Sequence, residues 1–320
     1  MQALGAQAAS SVPPVRAVGL GRRPADRLPV PGVPPHHCAR RSAHAGVPCG
    51  QRPHAHSTGH RGVHAAACRE PRPGWRRRGV GWGVPVTPVL VLAAHGTRSA
   101  AGEHTLAALA ETVRRARPGH RVELSYLEIS APLLADVLPA VRGPVVVVPL
   151  LLAGGYHAHI DLPAVVADHR PDAVVAGWLG PHGLLTSALA RKLARAGLRA
   201  TDAVLLGAAG SSDPAALGDV RAAAHRLAVR LARPVTAAFA SAGTPSLEEA
   251  MERLGSTPAA RVAIASYVLA PGFFHDRLVT AGAGLVSEPL GADPDVAALI
   301  WHRYDEVLSR AARPRTLRRA

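Results

Sequence analysis

The feature that most constrains this chain is a pattern used twice. From Val86 to Ser309, short apolar runs alternate with amphipathic helical stretches, and the order restarts near residue 200. Ala94-His95-Gly96-Thr97-Arg98 returns 114 positions later as Ala208-Ala209-Gly210-Ser211-Ser212. Tyr126–Pro132 returns 113 positions later as Phe239–Pro245, Val145–Gly155 at an offset of 117 as Val262–Gly272, and Leu179-Gly180 at 111 as Leu290-Gly291. Strands alternating with helices make βαβ units and a parallel sheet. A whole unit of about 110 residues written twice points to internal duplication. The expected class is α/β: two similar doubly wound parallel-sheet domains, 86–198 and 199–309, with the cleft between them as the default ligand site.

Within the first unit, strand Val89–Ala94 leads into a loop and a helix over Glu103–Arg117, stopped by Pro118-Gly119. Strand Val122–Leu127 precedes a helix opening at Pro132 and running toward Val141. Pro144–Leu152 is almost continuously apolar, as a strand buried on both faces should be. A short helix Pro163–His169, a strand Ala173–Trp178 and a helix Leu184–Ala196, ended by Gly197, complete the unit.

The formal charge of +15 suggests a nucleic-acid partner until its distribution is examined. Before Val86 there are 13 Arg against Asp26 and Glu70, and five more Arg lie from Arg310 onward with no acid. The body carries 19 basic and 20 acidic residues and is near neutral, so the basic ends read as solvated tails and no nucleic-acid partner is expected. Met1–Pro85 is rich in Pro, Gly, Arg and His without sustained periodicity, and reads as disordered. It also reads as outside the natural coding sequence, with a valine-coded start at Val86. All three cysteines (Cys38, Cys49, Cys68) lie there with no C-x-x-C pair, so zinc-finger spacing is missing. No run of 18 apolar residues and no leader-like apolar segment occurs, from which a cytoplasmic protein without a membrane partner is expected.

In a parallel sheet all carboxyl ends share one edge. His95, Glu128 and His157 each follow a strand, so they should converge although 33 and 29 residues separate them. Two imidazoles and a carboxylate with open positions suit Co²⁺, Fe²⁺, Ni²⁺ or Zn²⁺, and an open position lets the metal react or be handed on. Each histidine alone would equally suit a loop residue bonded to backbone; their joint placement favours a site. The second unit has Ala209, Ser241 and Phe274 at the matching positions, so all three ligands are replaced while the apolar pattern persists. One functional half and one scaffold half account for this.

At these residues the chain resembles the sirohydrochlorin chelatases, the ATP-independent class II chelatases. H-G-T-R at His95, Y-L-E…P at Tyr126–Pro132 and P-L-L-L-A-G-G-Y-H…D-L-P at Pro149–Pro163 carry the likeness. A-G-S-S-D at Ala209–Asp213 and Y-V-L-A-P-G-F-F-H-D-R-L at Tyr267–Leu278 look like the degenerate half of the long, duplicated members. The resemblance implies the chelatase (ferrochelatase-like) fold and insertion of Co²⁺ or Fe²⁺ into sirohydrochlorin, toward cobalamin or siroheme. It implies no nucleotide and no organic cofactor; a monomer or homodimer is expected. It gives His95 and His157 metal-binding and proton-accepting roles, with Glu128 as acidic partner.

Around them, Gly96, Gly154 and Gly155 leave room for a bulky ligand to approach the backbone. Arg98 suits a macrocycle carboxylate or simply opens a helix. His159 is an auxiliary ligand or part of a strand-like loop. Asp161 orients His157 or caps the following helix. Thr97 and Ser99 read as caps, His104 and His182 as surface residues, and His275 as part of the scaffold half. The competing reading is a non-catalytic divalent-metal chaperone or tetrapyrrole-binding protein.

Overall fold

The computed structural model describes residues 87–256 and 261–312. The expectations for 1–85, its cysteines included, lie outside these residues, as does most of the basic tail. The first repeat runs β1 (Val89–Ala94), α1 (Ala100–Ala116), β2 (Val122–Tyr126), α2 (Leu134–Ala140), β3 (Val145–Pro149), a wide π-type turn (His157–Asp161), α3 (Leu162–His169), β4 (Val174–Val175) and α4 (Gly183–Arg195). The second runs β5 (Ala203–Ala208), α5 (Pro214–Leu231), β6 (Val235–Phe239), α6 (Leu247–Gly255), β7 (Val262–Tyr267), α7 (Phe273–Val279), β8 (Leu285–Val286) and α8 (Pro294–Ala312).

Two parallel four-stranded sheets result, ordered β2-β1-β3-β4 and β6-β5-β7-β8. Val89 pairs with Val145 as Ala203 pairs with Val262, and Leu90 pairs with Val122 as Val204 pairs with Val235. The offsets of 114, 117 and 113 read from the sequence are therefore the offsets of the strand registers.

Alternation along the strands divides the core into layers. Val89, Val91 and Ala93 of β1 face α2 and α3 through Leu134, Leu138, Leu162 and Val166. Leu90, Leu92 and Ala94 face the other way, into a core shared with Val204, Leu206 and Ala208 of β5. Leu205 and Ile264 turn outward to α6 and α7. Both faces of β1 and β3 are thus covered, which is why they read as unbroken apolar runs.

The last helix of each repeat crosses to the other. α4 packs on α5 and β7, whereas α8 packs on α1, α4 and β3. Trp301 Nε1 donates to the Val113 carbonyl at 3.0 Å, and Tyr304 Oη donates to the Pro88 carbonyl at 2.7 Å. Arg117 forks onto Asp305 at 2.7 and 2.5 Å, with its guanidinium 4.6 Å over the Trp301 ring.

Several boundaries differ from the sequence expectation. α1 begins at Ala100 rather than Glu103, because Ser99 caps it by accepting from the Gly102 N–H. α2 starts at Leu134, two residues past Pro132, and β3 closes at Pro149 rather than Leu152. The strand expected over Ala173–Trp178 is regular only at Val174–Val175, although Ala176 and Leu179 still donate to the Val147 and Leu151 carbonyls. α8 continues to Ala312, so Arg310, the first arginine of the expected basic tail, lies on this helix.

Candidate metal centre

Each ligand candidate leaves the carboxyl edge of the first sheet. His95 directly follows β1, Glu128 lies just past β2, and His157 opens the wide turn after β3. The first two are drawn together by backbone bonds that prolong the β1–β2 ladder: Leu127 N donates to the Ala94 carbonyl at 2.8 Å and Glu128 N to the His95 carbonyl at 3.1 Å. Gly96 permits this approach. It takes φ +109°, and a Cβ there would stand 1.9 Å from the Glu128 carbonyl oxygen. The neighbouring Ile129 takes φ +68°, a region that β-branched residues avoid, so strain is stored beside Glu128. Buried Ser130 ties the loops again, accepting from Thr97 N at 3.1 Å and donating to its carbonyl at 3.0 Å.

His95 Nε2 lies 2.8 Å from His157 Nε2 and 3.2 Å from Glu128 Oε1. The three ligand atoms fall within 4.8 Å of one another, the one such cluster among the described residues. Metal–nitrogen bonds of about 2.0–2.1 Å at a tetrahedral angle hold two donors about 3.3 Å apart. The rings need part by only about half an ångström to admit an ion.

The wide turn sets the tautomer of His157. Its Nδ1 meets Asp161 Oδ2 at 2.5 Å, four residues on, and Leu162 N reaches back to the His157 carbonyl. With Nδ1–H donated to a carboxylate, the Nε2 lone pair points to the cluster. Asp161 makes no side-chain capping bond to α3, so the orienting alternative holds in this geometry. Such outer partners typically support a ligand by 10–100-fold in affinity. Asp161→Ala is accordingly expected to weaken Co²⁺ binding by about 10–100-fold, read by titration with the metal alone.

Burial, chiefly, pushes the His95 pKa below 6.5; the neighbouring His157 adds to this, while Glu128 and a hydrogen bond with the Gly96 backbone work in the opposite direction. A depressed pKa keeps the ring neutral, the form needed to bind a metal or accept a proton.

The surrounding residues sort themselves. Arg98 is exposed on the rim of the cleft and makes no ion pair with another described residue. Gly155 lines the cleft, whereas Gly154 is packed under Trp178, where a Cβ would meet the ring at 2.6 Å. His159 sits on a helical turn, not a strand-like loop, with its ring 5.1 Å from that of Trp178 and apart from the ligand cluster. His104 is exposed as expected. His182 is instead the half-buried cap of α4, its Nδ1 accepting from Leu184 N, and burial lowers its pKa. His275 turns to the Ser287 carbonyl at 3.4 Å. Two residues that sequence reasoning missed, Asp219 and Tyr267, reach the His157 loop from the other repeat.

The cluster opens on a cavity of about 1010 Å³ between the repeats. Phe273 and Phe274, 67% and 39% exposed, line the same cavity as the histidines. The chain has three Phe, and the third, Phe239, is fully buried, so the exposed phenylalanine surface is on this cleft.

Comparison with known proteins gives the family of the repeats and matches the fold. The CbiX family profile matches residues 89–196 and again 203–307. Among curated proteins none matches the chain. Among solved structures, SirB from Bacillus subtilis with Fe³⁺ superposes at TM-score 0.60 and 22% identity, covering 70% of this chain and 96% of that one. SirB from Bacillus subtilis subspecies spizizenii in complex with cobalt gives 0.57 and 21%, covering 70% and 96%. A CbiX described as the terminal enzyme for biosynthesis of siroheme in denitrifying bacteria gives 0.53 and 22%, covering 71% and 100%.

Proposed function

Since this chain belongs to the CbiX family, matched over both repeats, we propose that it inserts Co²⁺ or Fe²⁺ into sirohydrochlorin without a nucleotide, as a cytoplasmic step toward cobalamin or siroheme. The observation that carries this reading is the convergence of His95, Glu128 and His157 within 4.8 Å at the edge of a cavity near 1010 Å³. A cavity of that size is at the upper end of small-molecule sites. A metal chaperone needs the three donors but has no use for so large a cleft or for an exposed Phe273–Phe274 wall, whereas a flat conjugated macrocycle uses both.

The chemistry follows from the groups present. The metal is a substrate, and its entry expels two pyrrole N–H protons. His157, fixed by Asp161, offers Nε2 to the ion. His95, neutral at ordinary pH, accepts these two protons one after the other. Glu128 lies 3.2 Å from His95 Nε2 and more than half exposed, which suits it to pass each proton to water before the next is taken. Two imidazoles and a carboxylate accept either ion, so metal supply decides between them.

The test is absorption of sirohydrochlorin with Co²⁺ or Fe²⁺, with and without the protein. Conversion faster than the metal-only control is expected, and an equal rate sinks the enzyme reading in favour of a non-catalytic metal chaperone or tetrapyrrole-binding protein. The pH profile has a definite sign. Protonating His95 removes both ligand and acceptor, and its pKa lies below 6.5, so activity is lost as pH falls, with its acid-side midpoint below 6.5. A midpoint above 6.5 would assign the limb to another group.

A further inference from the structure

The second repeat lacks the ligands, yet it grips the loop that carries one of them. Between β3 and His157 the chain is anchored at successive residues: Leu150 N donates to the Ala93 carbonyl and the Leu151 carbonyl accepts from Leu179 N, both at 2.8 Å. The next two anchors come from across the cleft. Tyr267 Oη, on β7, donates to the Leu152 carbonyl at 3.1 Å. Asp219 Oδ2, on α5, accepts from Gly154 N at 2.9 Å and from Trp178 Nε1 at 3.0 Å. Gly180 leaves the path open, since a Cβ there would stand 2.1 Å from the Tyr267 hydroxyl. Tyr267 is buried, and burial holds its phenol protonated and able to donate.

The duplication supplies an internal control. By the strand and helix registers, the counterpart of Tyr267 is Leu150, which has no hydroxyl, and that of Asp219 is Thr105, which bonds within its own helix to the Ala101 carbonyl at 2.8 Å. Gly154 and Trp178, the two donors, correspond to Pro271 and Pro289, and neither proline has an N–H. The clamp therefore runs one way, from the half without ligands onto the half with them. A clamp needed only to hold two repeats together would have no reason to bear on the loop leading to His157 and on the Trp178 ring packed against that loop's Gly154, with nothing matching it in the other direction.

We propose that Asp219 and Tyr267 are positioning residues for the metal centre, fixing the Leu152–Tyr156 loop so that His157 Nε2 meets His95 and Glu128. This rests on reading those three side chains as the ligands of the metal. The second repeat is then part of the working site and not only a cover for the first.

Titration of the full chain with Co²⁺ alone, followed by the visible ligand-field bands of the bound ion, tests it. Tyr267→Phe removes one hydroxyl without changing the packing, and Asp219→Ala removes the shared acceptor. Each is expected to weaken Co²⁺ binding by about tenfold or more and to alter the band pattern, in the range known for outer partners of metal ligands. Asp219→Asn, which keeps one acceptor oxygen, is expected to restore part of the loss and serves if the alanine variant fails to fold. Thr105→Val, at the symmetric position, is expected to leave affinity and bands unchanged. If Tyr267→Phe and Asp219→Ala lower the melting temperature alone, with parental affinity and bands, the positioning role is overturned. An equal loss in Thr105→Val overturns it as well. His157→Ala separates the two levels of the argument: binding that survives this change refutes the ligand reading itself, while binding lost there and kept in the clamp variants refutes only the clamp.

Discussion

His157→Ala is expected to bring sirohydrochlorin metalation down to the rate of metal and macrocycle mixed without protein. The change removes the Nε2 donor that Asp161 aims at the cluster, and with it the 2.8 Å neighbour of His95, the proton acceptor. General-base catalysis alone accounts for about 10²–10⁴-fold. His95→Ala is expected to do the same, and the double variant to be little worse than either, because groups that act on one ion lose their effect as a unit. Fold stability is not at stake. His157 opens a half-exposed turn with its ring bonded to Asp161 and His95, and neither anchors the core. His104→Ala, an exposed histidine on α1, is the matching control and keeps full activity. Comparable rates for His157→Ala and the parent, at equal melting temperatures, would remove His157 from the mechanism.

The succession of strands and helices, the parallel sheets and the position of His95, Glu128 and His157 on one edge are legible in the sequence, because each depends on local pattern. Apolar runs of β1 and β3 announce strands covered on both faces, and strand ends in a parallel sheet share an edge without further information. Asp161 is legible only as two alternatives, since orienting His157 and capping α3 ask for the same residue at the same place. The wide turn at His157–Asp161 chose between them, and no residue pattern marks such a turn. Asp219 and Tyr267 are not legible at all: a carboxylate on a helix and a tyrosine ending a strand carry no local sign that their partners lie 65 and 115 residues away. The asymmetry was present in the sequence as Gly154 against Pro271 and Trp178 against Pro289, but it acquires meaning only once the cleft is built. Gly96 was read as room for a ligand, and its geometry gives it a more specific task, the close approach of two loops.

A chain ended after Asp293, and so lacking α8, is expected to lose the cooperative fold and with it the Co²⁺ site, although α8 contributes none of the three ligands. By position in the sequence α8 closes the second repeat; by packing it covers β3, α1 and α4. Val296, Leu299, Ile300, Trp301 and Tyr304 are buried there. At about 1.5–3 kcal/mol for each large apolar side chain, their loss amounts to about 10 kcal/mol. That is comparable to the whole net stability of a domain, about 5–15 kcal/mol. The bonds from Trp301 to Val113, from Tyr304 to Pro88 and from Arg117 to Asp305 go at the same time, leaving the Val113 and Pro88 carbonyls without these donors. A milder variant, Trp301→Ala, is expected to cost about 3–5 kcal/mol and to lower the melting temperature while leaving Co²⁺ affinity intact in the folded fraction. If the repeats were independent units, truncation at Asp293 would instead unfold the second repeat alone and leave His95, Glu128 and His157 binding Co²⁺ as before. Thermal melting and Co²⁺ titration of the same truncated chain distinguish these outcomes. The exchange of α4 and α8 favours the first, because neither sheet is covered by helices from its own repeat alone.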